Sequence, residues 1–421
     1  MNLTTKIAIA LLVGILFGLL INISGLNAAG GWVNVYLVEG FFYVVGKAFV
    51  NALKMLVVPL VLFSLVPGIL GIGDIRLLGR VGGKSFGLYL LTTAIAIASA
   101  LLIATLANVG SGLSLVTDTG FAGKSAPPFS EVLIGIVPSN ILGAMAGGDM
   151  LAIIFVSILV GICLLKVRSE VPTVVGFFEQ MNVVMMQMVN LVMHFAPIAV
   201  FCLIAKAMAE LGLDLLAELA SYVVVLVFVL LLHVFATQML LLKLFTGVSI
   251  RTFLNKIRSA QLFAFSTASS GATIPITMRC VVERMGVNKS IGAFTVPFGA
   301  TINMDGTAMM QGVATVFVAS VYGIDLSMSS YLLVIAMAVL ASIGTAAVPG
   351  VGLVMLTMVF TQVGLPVEGI GLLLGVDRLL DMVRTSVNVT GDAVVSMIVA
   401  NSENQIDTHV FTDEHAGTIR S

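Results

Sequence analysis

DRLLDMVRTSVNVTGD, residues 377–392, lies inside an otherwise apolar segment running from 368 to 402. Its Asp377, Asp381, Arg384, Asn388 and Asp392 follow one another at spacings of 4, 3, 4 and 4. At about 100° per residue they fall within an arc of roughly 80° on a helix, which makes one polar stripe. A charge near the centre of a bilayer costs at least about 2.5–3.5 kcal/mol, so the stripe has to face protein, ions or water. Asp381 and Arg384, at i and i+3, can pair as helix glue. Three carboxylates against one guanidinium nevertheless leave negative charge that calls for cations or a substrate amine. Arg378, about 100° from Asp377, is a further positive group.

The solvent around this segment is lipid. Of 421 residues, 59% are hydrophobic and 10% charged, against about 25% charged in an average soluble domain, and the mean hydropathy is +1.14. Runs such as Ile7 to Ile21 and Tyr222 to Val234 carry no Asp, Glu, Lys or Arg. The net charge of -1 and the lack of any dense basic run exclude nucleic acid as a partner. Cys163, Cys202 and Cys280 stand singly in apolar stretches without metal-ligand spacing, and are expected to be buried small apolar residues. Lys6 ahead of an apolar stretch, with Asn27-Ala28-Ala29-Gly30 after it, loosely resembles a signal peptide. Because many spans follow, the stretch is better read as a first transmembrane helix.

Apolar stretches near 20 residues place candidate spans at about 5–23, 36–70, 85–109, 130–166, 172–212 and 217–245. Several exceed one crossing, and the one holding Pro197 suggests a kinked or broken helix. Beyond residue 250 the apolar segments 253–285, 289–322, 328–366 and 368–402 are interrupted by small and polar residues. Ser266 to Pro275 and Ser342 to Gly350 each read as the tip of a re-entrant hairpin, and each hairpin precedes a helix with polar residues at its centre. Such repeated, Gly/Pro-interrupted segments point to a binding site at the repeat interface of a transporter. Arg76, Arg80 and Lys84, and again Lys243, Arg251, Lys256 and Arg258, mark cytoplasmic loops, whereas loops 24–36, 110–129 and 323–328 hold only Lys124. The N-terminus and the polar tail from Asn401 are then cytoplasmic, with the first hairpin entering from inside and the second from outside.

Between the hairpins lies Gly299-Ala300-Thr301-Ile302-Asn303-Met304-Asp305-Gly306-Thr307. Asn and Asp favour local side-chain bonding and Gly306 permits unwinding, which would expose carbonyl oxygens. With Asn303, Asp305, Asn388 and Asp392, these make an all-oxygen environment suited to hard cations, and a monovalent cation fits a coupled transporter best. An aspartyl protease dyad of Asp305 and Asp392 lacks the usual Gly-x-Gly-Asp sequence. A Ser-His-Asp hydrolase is poorer still, because His194 and His233 lie in other apolar spans and read as structural.

At these residues the chain resembles the dicarboxylate/amino acid:cation symporters, a family that includes archaeal aspartate transporters and animal excitatory amino acid transporters. The resemblance rests on the serine-containing first hairpin tip, NMDGT at 303–307 and DMVRTSVNVTGD at 381–392, and covers essentially the whole chain. It implies an all-α membrane protein of eight transmembrane helices plus two re-entrant helical hairpins, arranged as inverted repeats in a homotrimer embedded in lipid. It further implies a scaffold (1–78 and 128–214), an elevator-like transport domain (79–127 and 215–402) and a cytoplasmic tail (403–421). No enzymatic activity is expected, and the compartment implied is a prokaryotic plasma (inner) membrane.

Carried over by that resemblance, Arg384 holds the substrate's side-chain carboxylate, Asp381 its ammonium, and Asn388, Thr307 and Ser270 its α-carboxylate region. Ser269, Met304, Thr385, Val348 and Gly352 complete the pocket. The resemblance also implies about three sodium sites: Gly299, Asn303, Asn388 and Asp392; Thr301, Ser342, Ile343 and Thr345; and Tyr89, Thr92, Thr93, Asn303 and Asp305. The expected function is sodium-coupled symport of L-aspartate or L-glutamate. Proton-coupled glutamate/aspartate symport and C4-dicarboxylate symport are the alternatives, and an anion conductance is a possible side activity. The tip departs from the family pattern at Ala268, Gly271 and Ala272, and Arg378 is expected to supply the cation missing there. Gln311 stands where animal members place a Glu used in potassium coupling, so no potassium countertransport is expected.

Overall fold

In lipid every backbone N–H and C=O has to be satisfied within its own segment. A computed structural model, describing residues 3–70, 78–112, 134–343, 350–413 and 416–417, is accordingly predominantly helical. Among the described residues there is no strand, only an isolated bridge between Val287 and Ile406. Among the described residues, four helical stretches are long and apolar enough to cross a membrane: Thr5–Ile23, Val33–Leu70, Arg80–Leu106 and Leu213–Thr246. They contain α1 (Leu3–Ile23), α2 (Tyr43–Leu70, entered through a π-helical Val33–Phe42) and α3 (Gly83–Leu106). The fourth joins α8 (Leu213–Leu232) to α9 (Met239–Thr246) through a π-helical turn, His233–Gln238.

Two expected spans are divided. The stretch 130–166 contains a short α4 (Ile141–Gly147) and α5 (Met150–Lys166), because Gly148 turns left-handed at φ 72° and ends the first helix. The stretch 172–212 is α6 (Pro172–His194) and α7 (Ala196–Leu211), bent by 48° around Phe195. Pro197 in the first turn of α7 has no N–H to carry the helix through.

The first hairpin is α10 (Ile250–Thr267) and α11 (Ser270–Arg279), continued by a π-helical Cys280–Arg284. Its tip is shorter than the expected Ser266 to Pro275. Only Ala268 and Ser269 leave the helices, and Pro275 is inside α11. Ala268 takes a left-handed φ of 50°, uncommon for a residue with a Cβ, and Ser269 caps α11 by accepting from the Ala272 amide at 3.2 Å. The second hairpin is α14 (Met328–Ser342) and α15 (Val351–Val363). Thr345 and Val348 lie outside the described residues.

Each hairpin is followed by the helices that carry the polar centre. The first pair, α12 (Lys289–Ile302) and α13 (Asp305–Val321), is broken at Asn303 and Met304, as the oxygen-rich stretch predicts. Gly306 is not part of that unwinding. It is helical, and its role is close approach, since a Cβ there would stand 2.8 Å from the Arg384 carbonyl oxygen. The second is α16 (Ile370–Ser402), an unbroken helix of 33 residues.

Packing forms two groups. In one, α1 lies along α7, and α2 packs on α5, α6 and α7; in the other, α16 is surrounded by α8, α9, α10, α12 and α13, with α3 against α13 and α14. The groups meet where α16 touches α1 and α7 and where α15 touches α2. Cys202 and Cys280 are buried as expected, but Cys163 is exposed. It shares the outer face of α5 with exposed Leu159 and Ile162, so it is apolar in setting without belonging to the core.

The tail is docked rather than loose over residues 406–413. Lys256 in α10 donates to the carbonyl oxygens of Arg284, Val410 and Asp413. Phe411 of α17 (Thr408–Thr412) is buried beneath that ammonium. Glu403, just past α16, pairs with Arg80 at 2.5 Å and Lys84 at 2.6 Å.

Candidate functional site

The Asp377–Asp392 stripe faces inward along α16, and Arg384 at its centre is 0% exposed. Its Nη2 donates to Asp381 Oδ1 at 2.9 Å, and its Nη1 lies 2.8 Å from Asp377 Oδ1. Its Nε has no hydrogen-bond partner among the described residues. Arg378 stands 3.6 Å from Asp381 Oδ2, so two carboxylates and two guanidinium groups balance at this end of the stripe. The Gly350 amide at the start of α15 donates to Asp381 Oδ2 at 3.3 Å. The second hairpin is thereby attached to a carboxylate of the stripe itself.

Several of the predicted substrate residues converge here. Thr385 donates to the Asp381 carbonyl at 2.7 Å. Gly352 sits against Thr307 and the Arg384 guanidinium, where a Cβ would lie 3.6 Å from Nη2. Asn388 accepts from the Gly306 amide at 2.7 Å, and its amide nitrogen lies 3.5 Å from Met304 Sδ. Ser269 and Ser270 are buried at the first hairpin tip. A cavity of about 230 Å³ adjoins Asp381 and Gly350, lined also by Asn190, His194, Asp377 and Arg378.

One turn further along, the stripe meets the break between α12 and α13. Asn303 donates to Asp392 Oδ1 at 3.1 Å. Gly299 lies directly beneath the same carboxylate, and a Cβ there would collide with Asp392 Oδ1. These contacts bring Gly299, Asn303 and Asp392 together, with Asn388 one turn away on α16. In the second predicted set, Ser342 accepts from the Met304 amide at 3.1 Å and donates to the Ile302 carbonyl. Ile343 is buried beside it, while Thr301 is turned back to the Phe298 carbonyl at 2.9 Å.

In the third predicted set, Thr93 donates to Asp305 Oδ1 at 2.7 Å, and Thr92 to Asn303 Oδ1 at 3.2 Å. Tyr89 is fully buried, but its hydroxyl donates to the Thr295 carbonyl at 2.9 Å instead of joining Asn303 or Asp305. Asp305 and Asp392 are 0% and 1% exposed, and neither has a Lys or Arg partner among the described residues. The surplus negative charge read from the stripe therefore belongs to this end and not to the Arg384 end.

Two residues near Asp305 were not among those expected. His233 Nε2 lies 3.0 Å from Asp305 Oδ2, although the sequence reading set this histidine aside as structural. Gln238, on the same π-helical turn, is also buried and donates to the Val387 carbonyl at 3.3 Å. The available signal was an ionisable ring in the middle of a membrane span, which by itself marks a functional candidate.

A family model described as the Sodium:dicarboxylate symporter family matches residues 3–402. The chain is similar to the proton/sodium-glutamate symport protein of Bacillus caldotenax, 34% identical over 87% of this chain and 89% of that protein. It is similar to the C4-dicarboxylate transport protein of Bacillus subtilis (strain 168), 33% identical over 96% of this chain and 94% of that one. It is also similar to the proton/glutamate-aspartate symporter of Escherichia coli (strain K12), 32% identical over the same shares. Among the described residues no group of three or more His, Cys, Asp or Glu is placed to hold a metal ion. Oxygen atoms of carboxylate, hydroxyl, amide and backbone groups are what the site offers.

Proposed function

The chain belongs to the sodium:dicarboxylate symporter family, which comprises secondary transporters and not enzymes, and from that premise we propose that it is a sodium-coupled symporter of L-aspartate or L-glutamate. The observation that carries the sodium coupling is the pair of buried carboxylates, Asp305 and Asp392, without a Lys or Arg partner among the described residues. A carboxylate in so dry a place is costly unless a cation stands beside it. The donors around them, Thr92, Thr93, Asn303 and Asn388, are oxygen ligands suited to a hard monovalent ion. Gly299, Thr301, Ser342, Ile343, Thr345 and Tyr89 complete the three ion sites of this reading.

Substrate binds at the other end of the stripe. Arg384 offers a planar fork to a side-chain carboxylate, and its unpaired Nε supports a further donor role toward that group. Asp381 receives the ammonium, while Asn388, Thr307, Ser269, Ser270, Met304, Thr385, Val348 and Gly352 enclose the rest. Because the Gly350 amide already uses Asp381, an arriving ammonium and the second hairpin address the same carboxylate. That supports the second hairpin as the gate. Gln311, buried in α13, is not ionisable, which supports transport without potassium countertransport.

On this reading eight transmembrane helices and two hairpins form a homotrimer whose transport domain, built on α3 and α8 to α16, moves against a scaffold of α1, α2 and α4 to α7. Sodium and substrate raise each other's affinity by the same factor, as linkage requires. C4-dicarboxylate symport is the second reading, favoured by the printed function of one relative. Asp381 weighs against it, because succinate brings no ammonium to satisfy this carboxylate. The test is uptake of radiolabelled aspartate, glutamate and succinate into proteoliposomes under imposed sodium or proton gradients. Aspartate or glutamate uptake driven by sodium, and indifferent to internal potassium, is expected. Uptake driven as well by a choline gradient as by sodium overturns the coupling.

A further inference from the structure

The geometry points to His233 as a positioning residue for the third cation site: its Nε2–H donates to Asp305 Oδ2 and so fixes which oxygen of that carboxylate is turned toward Thr92 and Thr93. This rests on the sodium-coupled reading above. His233 and Asp305 side chains are both 0% exposed, and the Nε2–Oδ2 separation is 3.0 Å. The opposite oxygen, Oδ1, accepts from Thr93 at 2.7 Å and faces Thr92 at 3.4 Å. The two carboxylate oxygens are thus assigned to different neighbours, one to the imidazole and one to the side where the hydroxyls and Asn303 converge.

The tautomer follows from the other ring nitrogen. His233 Nδ1 is buried without a hydrogen-bond partner among the described residues. If Nδ1 carried the hydrogen, Nε2 would present a lone pair to a carboxylate and a buried donor would go unused. With the hydrogen on Nε2, the carboxylate is satisfied and only an acceptor is left over. An imidazole that donates its ring N–H to a carboxylate holds both groups in orientation, the relation that tunes ion sites from one shell out.

The backbone is shaped for this. His233 to Gln238 is a π-helical turn inside an otherwise α-helical span, and such turns recur at functional sites. Its i to i+5 bonding places His233 and Gln238, five residues apart, on one side. His233 then meets α13 and Gln238 meets α16. A Cβ on Gly391 would lie 2.9 Å from Gln238 Nε2, 2.7 Å from Asn303 Nδ2 and 3.4 Å from Asp305 Oδ2. One turn of helix thus forms the outer wall of the Asn303 and Asp305 arrangement.

The experiment titrates sodium against choline, without substrate, into the purified full-length chain and its His233→Gln and His233→Asn variants, following melting temperature. Gln places an amide N–H near the position of Nε2, whereas Asn reaches only as far as Nδ1. The sodium midpoint of His233→Asn is expected to rise about 10- to 100-fold, with His233→Gln within about threefold of the wild type on the same scale. A residue that only packs would lower the melting temperature in choline and leave the midpoint in place. An unshifted midpoint in His233→Asn, or equal shifts in both variants, overturns the assignment. A wild-type chain that ignores sodium instead removes the sodium-coupled reading itself.

A second measurement uses the wild-type chain and does not depend on either variant folding. Nitrogen-15 spectra of labelled histidine are expected to show one ring in the Nε2–H form whose proton resonance moves on addition of sodium, distinct from His194, His409 and His415. An Nδ1–H form at His233, or a resonance indifferent to sodium in a chain that binds it, overturns the inference.

Discussion

The two hairpins have the same design and opposite attachments. The first is tied to groups away from the substrate end of the stripe: Gln261 in α10 donates to Thr390 at 2.9 Å, Ser386 donates to the Gln261 carbonyl at 2.9 Å, and Lys256 holds the tail. The second is tied to the site. Ser342 bridges the Ile302 carbonyl and the Met304 amide, and Gly350 donates to Asp381. On the proposed function, a ligand at the site would compete with the attachments of the second hairpin and leave those of the first untouched. Asymmetry between two similar elements therefore comes from where their polar groups end, not from their helices.

The largest expected effect tests the shared carboxylate. Arg384→Lys replaces a bidentate fork with a point charge beside Asp377 and Asp381, and uptake of acidic amino acids in proteoliposomes should fall by about 100-fold or more, two charge-assisted bonds at about 1.5–3 kcal/mol each. Uptake within tenfold of wild type, taken as about 1.4 kcal/mol, would move the pocket elsewhere.

Next in size is a matched pair of substitutions. Ser342→Ala leaves the Met304 amide and the Ile302 carbonyl without their partner, a loss of about 1–3 kcal/mol. The sodium midpoint for stabilisation should rise by roughly five- to 150-fold. Gln261→Leu removes a bond of the same kind from the first hairpin and should lower the melting temperature with the midpoint unchanged. Equal midpoint shifts in the two variants would erase the distinction between the hairpins.

A smaller effect is expected where the first hairpin meets the tail. Lys256→Met strips three carbonyl oxygens of their donor, and hydrogen exchange in residues 406–413 should accelerate while the KM for uptake stays constant. A changed KM would show that the tail acts on the site after all.

The smallest effect concerns Glu403. Its hydrogen bond to Lys84 and then the charge of Arg80 hold its carboxyl below the usual carboxylate range. Because the folded value is the lower one, this attachment is fully present above about pH 4.3, the unperturbed value, and is lost as pH falls through the lowered value. Glu403→Gln should loosen the end of α16 at neutral pH, seen as faster hydrogen exchange. Its difference from wild type should vanish once pH has fallen through the lowered value. A difference that persists in acid would assign the effect to packing.

Much of this arrangement was legible in the sequence, for identifiable reasons. The stripe could be read because helical angle alone puts Asp377, Asp381, Arg384, Asn388 and Asp392 together, and the break at Asn303 and Met304 because Asn and Asp compete with helical bonding. The charge balance could not be read, since it depends on Arg378 reaching Asp381, and that placed the surplus at Asp305 and Asp392. His233 was missed because it touches Asp305 across 72 positions of sequence, in a run with no other ionisable group. The tip of the first hairpin was read too long because Ser, Ala and Gly suggest a loop, whereas Ser269 here starts a helix. Cys163 was misplaced because an apolar neighbourhood in sequence does not distinguish the core from an outward face.

The docked tail also has a consequence for synthesis. Lys256 is translated more than 150 residues before Val410 and Asp413, whose carbonyls it holds. The base of the first hairpin therefore waits, with only the Arg284 carbonyl to accept from Lys256, until residues 410 and 413 have been made. Closure of this half is coupled to the synthesis of residues 410–413 rather than to the insertion of its own helices. A nascent chain stalled ahead of residue 406 should remain open to proteases at Lys256, and one extended well past residue 413 should not.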